Sequence, residues 1–297
     1  MSIRLTWRDV NATIADNIVI YRDTVPIPPD SLPTPLVTLA GSATTYDDTT
    51  VVRGTVYYYR IAAVKGVDFV LSDNKIHGYF PDSGPGPQTL LRGDWKRGYF
   101  GRVTVPGFLT VAETRTVAGL TAGTAVSEAT LTHWMKFIFD GKIIFVPCTT
   151  LTTGISWKSI YDAGLVYGVD GFGSPGPGMS TVTFNVNQKK QVTVKGFEFL
   201  IRLPKASPLP TTTQITTPDQ HAEGEWLELL GRSYLASVRP EVKPHWEDLP
   251  ALAWYSFTQH CNAANIVLVF VGETSSTSTA TNAGAGYGWL PFFELVY

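Results

Sequence analysis

Two apolar runs, Trp134-Met135-Lys136-Phe137-Ile138-Phe139 and Lys142-Ile143-Ile144-Phe145-Val146-Pro147, are separated only by Asp140-Gly141. An Asp-Gly pair takes the positive φ values of a type I′ turn, whose twist matches that of two paired strands. The segment is therefore predicted to be an antiparallel hairpin, the strongest local signal in the chain.

The 297 residues suffice for two domains, each burying a core of its own. A hydrophobic content of 44% with only 16% charged residues excludes a disordered, highly charged chain. The net charge of -2 is evenly spread: 7 Lys+Arg face 9 Asp+Glu up to Asp82, and 16 face 16 beyond it. Nucleic-acid binders carry a basic excess to neutralise phosphates, so DNA and RNA are not expected partners. Cys148 and Cys261 stand far apart, too few for a disulfide scaffold, and two buried free thiols are expected. The first residues lack the basic-then-apolar pattern of a signal peptide, and no apolar run approaches the ~20 residues of a membrane span. Synthesis and folding in a cytoplasm are expected, which leaves the Asn11-Ala12-Thr13 tripeptide without meaning as a glycosylation acceptor.

Residues 1–81 divide into short strands separated by turns, among them Leu5-Thr6-Trp7, residues 17–22 and residues 54–64, with a proline-rich loop from Pro26 to Pro35. In the last of these strands Tyr57, Tyr59, Ile61 and Ala63 alternate onto one face. Such a pattern predicts a small β-sandwich. Trp7, the Tyr21-containing strand and Gly54-Thr55-x-Tyr57 together resemble fibronectin type III domains. The resemblance implies that Tyr57 is a corner tyrosine bonded to nearby backbone, that Trp7 and Tyr59 are core, and that the module is a spacer or docking unit. The proline-rich insert departs from the usual spacing.

Residues 82–89 alternate Gly and Pro, which sustain neither helix nor sheet, and read as an extended linker. Residues 90–297 form the second domain. From Leu90 to Val126 the chain looks β-rich without a helical period, with a strand at residues 100–106, and a short helical turn is expected at residues 126–131. Ser156 can cap a short helix that Gly164 ends. Residues 171–178 form a Gly/Pro loop, and Gln191 to Leu203 is predicted to be one strand. Thr217-Pro218-Asp219-Gln220 reads as a helix start, placing Leu227, Leu230 and Tyr234 on one face beside Trp226. Strands follow at residues 253–259 and 266–271, then an exposed Ser/Thr/Ala/Gly loop from Glu273 to Gly288 and a terminal strand.

The ordered stations are the hairpin from Trp134, the helix at Trp157, Gly224-Glu225-Trp226-Leu227-Glu228-Leu229-Leu230, and Gly288-Trp289-Leu290-Pro291-Phe292-Phe293-Glu294-Leu295. In that order they resemble a family of bacteriophage and prophage virion proteins with a C-type-lectin-like domain. Leu290 departs from the family's closing G-W-R-P-x-L-E-L pattern, which has arginine there. The fold class expected is mainly β with a smaller α+β part. The resemblance implies a non-enzymatic structural component of a virion, on the tail, a fibre or the head surface, made in the host cytoplasm. Its partners would be other virion proteins and a host cell-surface glycan or protein, in a homo-oligomer for which symmetry favours a trimer.

No catalytic residue, metal ligand or cofactor is assigned from the sequence. His260 and Cys261 are adjacent, so a strand would point them to opposite faces. The five histidines show no metal-ligand spacing, and Glu223, Glu225, Glu247 and Asp248 read as solvated carboxylates. Calcium would need clustered oxygen ligands, and the lectin tripeptides Glu-Pro-Asn and Gln-Pro-Asp are absent. Trp134, Trp157, Trp226 and Trp289 are expected in the core. Trp95 and Trp246 are the candidates for exposed ligand or partner contact, together with Gly173, Ser276 and Thr279 in the two loops. Two further readings stay open: a glycan-binding module using those loops, and an enzyme related to formylglycine-generating oxidases, which would need reactive thiols at Cys148 and Cys261.

Overall fold

The computed structural model describes residues 2–8, 14–174, 179, 182–234, 246–247, 255–263, 266–271, 274–284 and 286–297. Among these the fold is mainly β. The N-terminal module holds β1 (Ile3–Thr6), β2 (Asn17–Asp23), β3 (Val37–Ala40), β4 (Thr45–Asp48), β5 (Thr55–Lys65), β6 (Asp68–Leu71) and β7 (Lys75–Tyr79). β1 pairs antiparallel with β4, while β3, β2, β5 and β6 form a second sheet in that order, with β7 on the lower half of β5. Between the sheets, Ile3, Leu5, Ile18, Ile20, Tyr57 and Tyr59 make one core, against which Ile61, Ala63 and the half-buried Trp7 pack. The alternation read along β5 is thus realised. The Tyr57 hydroxyl accepts the Val52 backbone N–H at 2.8 Å, five residues upstream.

The remaining chain holds β8 (Arg92–Gly93), β9 (Arg97–Thr104), α1 (Val111–Ala118), β10 (Thr124–Ala125), β11 (His133–Phe139), β12 (Lys142–Pro147), β13 (Thr152–Thr153), α2 (Trp157–Asp162), β14 (Gln191–Val194) and β15 (Phe197–Arg202). After a 3₁₀ turn at Pro218–His221, a π-helical turn at Trp226–Gly231 and a last helical turn at Arg232–Tyr234, it closes with β16 (Tyr255–Ala263), β17 (Ile266–Val271), β18 (Thr274–Thr279), β19 (Tyr287–Trp289) and β20 (Phe292–Leu295). A seven-stranded sheet runs β14-β15-β20-β12-β11-β9-β8, and a six-stranded sheet runs β10-β13-β19-β16-β17-β18.

The β11–β12 hairpin forms as expected, with φ of 46° at Asp140 and 81° at Gly141. Every residue of β11 is buried, because the larger sheet is covered on both faces. Trp134 and Ile138 face one core with Phe145, Phe199 and Phe293. Met135, Phe137 and Phe139 face the other, with Trp226, Trp246 and Phe270. Ser156 caps α2 by accepting the Ser159 N–H at 3.1 Å, and Gly164 takes φ 77°.

Several expectations are corrected. The stretch from Leu90 to Val126 contains α1, whose Thr110 and Glu113 make a reciprocal capping box and whose end is Gly119 in the left-handed conformation. Gln191 to Leu203 is a hairpin rather than one strand, turning at Lys195 and Gly196 with φ of 51° and 83°. Within Glu273 to Gly288, residues 274–279 are β18, fully paired with β17. The π turn widens the helical repeat, so Trp226, Leu229 and Leu230 are the buried set while Leu227 is only half-buried. The side chain of Tyr234, the strand start at residues 253–254, and Asp248 lie outside the described residues.

Residues 82–89, read as a linker, are packed in part. Ser83 and Gly84 are buried, and the Gln88 amide bonds the Gly84 and Gly86 carbonyls while accepting from Ser83. The fully buried Lys136 ammonium donates to Ser83 Oγ at 2.7 Å, Gly84 O at 3.3 Å and Pro87 O at 2.6 Å. The Phe100 and Phe145 rings flank it at 4.9 and 5.5 Å.

Candidate functional site

Among the described residues, buried charged side chains of the second module gather around Arg202, around Glu228 with Arg97 and Arg232, and around Glu247 beside Cys148. The first centres on Arg202 at the end of β15. Its guanidinium holds Glu225 through both Nη atoms at 2.7 Å and donates from Nε to Glu294 Oε2 at 2.8 Å. Lys142 closes the network at 2.8 Å from the other oxygen of Glu294. Burial raises the Glu294 carboxyl, but Arg202 and Lys142 together hold it below the ordinary range. Burial lowers Arg202 and its two carboxylates more than offset this, so it stays charged. Glu225, expected as a solvated carboxylate, is an interior ion-pair partner.

Above this network lies an open cleft of about 350 Å³ whose lining includes Lys142, Tyr167, Ser174, Lys205, Thr212 and Gln259. Gly168 and Ser174 bring the Gly/Pro loop to its wall. Gly173 itself takes φ 78° and lies against the Tyr167 ring so closely that a Cβ would overlap it. Its role is to let the backbone cover that ring. A second recess of about 240 Å³ is lined by Ile215, Thr216, Thr217, Pro218, His221 and the Ser275–Thr277 stretch of β18. Ser276 is there, half-buried, whereas Thr279 is exposed at the far end of the same strand and outside the recess. His221 is buried, its Nδ1 unpartnered, its ring edge-on to Phe270 at 5.3 Å, and burial lowers its pKa.

The tryptophans proposed for contact are placed differently from each other. Trp246 is 1% exposed, its Nε1 donates to Glu228 O at 2.7 Å, and Arg232 covers its ring at 4.8 Å, so it is core rather than contact surface. The side chain of Trp246 is part of the second core. Trp95 is half-buried, stacked on Phe80 at 5.5 Å and edge-on to Phe100, at the junction of the modules. Trp134, Trp157, Trp226 and Trp289 are all 0% exposed. Leu290, where the family's pattern has arginine, is buried among apolar side chains.

The network around Glu247 escaped sequence reading. In the β11–β12 register Trp134 faces Pro147, so His133 and Cys148 face each other one step beyond, with Cys148 N–H on His133 O at 3.2 Å. The Thr132 hydroxyl lies 2.9 Å from His133 Nδ1 and 3.4 Å from Cys148 Sγ. His133 Nε2 is 3.7 Å from Glu247 Oε1. Glu247, also expected to be solvated, is buried and accepts from Tyr99 and Arg102. The signal was available: an Asp140-Gly141 turn makes residues whose numbers are symmetric about it cross-strand neighbours.

No family model, curated protein or solved structure matches the chain. Among the described residues there is no group of three or more His, Cys, Asp or Glu placed to hold a metal ion, and no helix long and apolar enough to cross a membrane. Neither cysteine is in a disulfide, and both are buried. His260 and Cys261 do diverge: His260 Nδ1 accepts Ala206 N–H at 3.2 Å and Nε2 is 3.1 Å from Leu209 O, while Cys261 lies in the larger apolar core.

Proposed function

We propose that the chain is a structural component of a bacteriophage virion, docking through one module and displaying the other to a neighbouring protein or to the host. The reading rests on the tryptophan stations. Trp134, Trp157, Trp226 and Trp289 recur in the order of the lectin-like virion family and are the pillars of the two cores. Trp134 Nε1 donates to Leu109 O at 2.7 Å and Trp157 Nε1 to Thr258 O at 2.9 Å, so these indoles are built in as framework. The corner tyrosine at Tyr57 supports a fibronectin type III-like N-terminal module in the same way. Oligomerisation by particle symmetry, with a trimer favoured, belongs to the same proposal.

The test is immunogold microscopy of purified particles with an antibody to residues 90–297, beside peptide mass spectrometry of the same preparation. Gold on the tail tip or fibres supports host contact, and gold on the head or collar supports a decoration role. Particles with neither label nor peptides overturn the virion reading.

A second reading, a glycan-binding surface, has one observation in its favour. The cleft over Arg202 offers two lysines, hydroxyls and an amide around a volume of about 350 Å³, within the range of small-ligand sites. Glycan-array binding that is lost in Lys205→Ala would favour it, and an unchanged array would remove it.

A further inference from the structure

Cys148 follows the end of β12, opposite the start of β11, at the margin of the large apolar core, with polar groups of two neighbouring strands beside it. β11 and the residue before it supply His133 and Thr132, and β9 supplies Arg102. Glu247 holds Tyr99 and Arg102 and sits 3.7 Å from His133 Nε2, a nitrogen that is buried without a hydrogen-bond partner. Arg92 adds a second positive charge near Tyr99. A purely structural cysteine has no use for such company. Cys261 shows the contrast: both thiols lie in the same large apolar core and burial raises both, but no side-chain hydrogen bond brings Cys261 back down.

We propose that Cys148 is a reactive thiol, activated by His133 and Thr132, that takes low-molecular-weight disulfides in thiol–disulfide exchange. The thiol proton passes to the His133 imidazole, and Glu247 stabilises the imidazolium. The Cys148 sulfur attacks one sulfur of the disulfide, forming a new S–S bond. The old S–S bond breaks, and its second sulfur leaves with the electron pair and takes up a proton. No external oxidant is needed, because the incoming disulfide is itself reduced.

Burial raises this thiol, and hydrogen bonds from the His133 side chain, the Thr132 hydroxyl and the His133 backbone bring it down to about 7. Cys148 keeps 7% of its surface open, beside an Arg102 side chain that is 60% exposed. For one neutral reagent, narrow access scales the rate without setting the pH at which the thiol ionises. The informative quantity is therefore the midpoint of the pH–rate profile. At pH 7 the greater thiolate fraction is largely offset by lower intrinsic nucleophilicity, leaving a net gain of only about threefold.

The experiment is iodoacetamide labelling of the intact native chain from pH 5.5 to 10, with peptide mass mapping of both cysteines. Cys148 should label with a midpoint near 7 while Cys261 stays unlabelled. His133→Gln should move the midpoint up by about one unit or more, and Thr132→Val by less. A chemical unfolding curve for each variant separates loss of the imidazole from loss of the fold, and the wild-type midpoint stands without any variant. Incubation with glutathione disulfide should add one adduct, on Cys148, removed by dithiothreitol. A Cys148 that labels no faster than Cys261, a wild-type midpoint at the ordinary ~8.5, or labelling without any glutathione adduct would each overturn the proposal.

Discussion

Asp48 carries the densest polar load in the N-terminal module. It is fully buried and accepts from Tyr59 Oη at 2.8 Å, Arg22 Nη1 at 2.7 Å, Thr50 Oγ1 at 2.8 Å and Thr50 N–H at 3.0 Å. Burial raises its carboxyl, and these four donors more than compensate, so its folded pKa is depressed. A depressed carboxylate stabilises the fold in full above its unfolded value of about 4, and that contribution is lost as pH falls through the folded value. Asp48→Ala should cost about 2–4 kcal/mol in urea unfolding at pH 7 and flatten the acid limb of stability against pH. At Lys136 it is the charged form that the fold disfavours. Burial pushes its ammonium down to about 7, although three acceptors meet its three protons. The unfolded lysine binds a proton up to about pH 10.4, so stability should rise between pH 7 and 10 by a few kcal/mol. Lys136→Met should remove that rise and expose the Ser83 N–H to faster hydrogen exchange.

At the scale of elements, turn chemistry was legible and edge strands were not. Asp140-Gly141, the Ser156 cap and Gly164 behave as their residue types demand, because each acts through its own backbone. Gly141→Val is expected to cost about 1–2 kcal/mol in thermal unfolding. A Cβ there would meet only Val56 at 3.9 Å, so the loss would come from the backbone angle alone. The same chemistry at Lys195-Gly196 went unread, since lysine is not a usual turn residue. In α1 the β-branched Val111, Thr114, Thr116 and Val117 masked a Thr110–Glu113 capping box, and Glu128 from a later turn adds acceptors for the Val111 and Ala112 N–H groups. The Ser/Thr composition of β18 looked like loop because the strand gains its order from β17 rather than from apolar side chains of its own. The buried acids Glu225 and Glu247 were invisible for a related reason: their cations, Arg202 and Arg102, lie 23 and 145 residues away. Arg202→Met should leave Glu225 without its cation and Glu294 with Lys142 alone, and cost about 3–5 kcal/mol, read as a drop in the urea midpoint.

For the whole molecule, the Gly/Pro stretch promised two bodies on a tether. Its buried residues are clasped instead by Lys136 and Gln88, and more contacts cross the same junction. The Tyr297 ring packs edge-on to Phe80 at 5.4 Å, lies under the Arg53 guanidinium at 5.1 Å, and meets Gly54 at 3.3 Å from where its Cβ would be. Trp95 stacks on Phe80 from the other side. Tyr297 thus braces the base of the first module. Mechanically this makes a bracket, and torque applied to one module is expected to turn the other with it. Pulled between its ends, such a chain should show a first rupture at the bracket and only then the unravelling of either half.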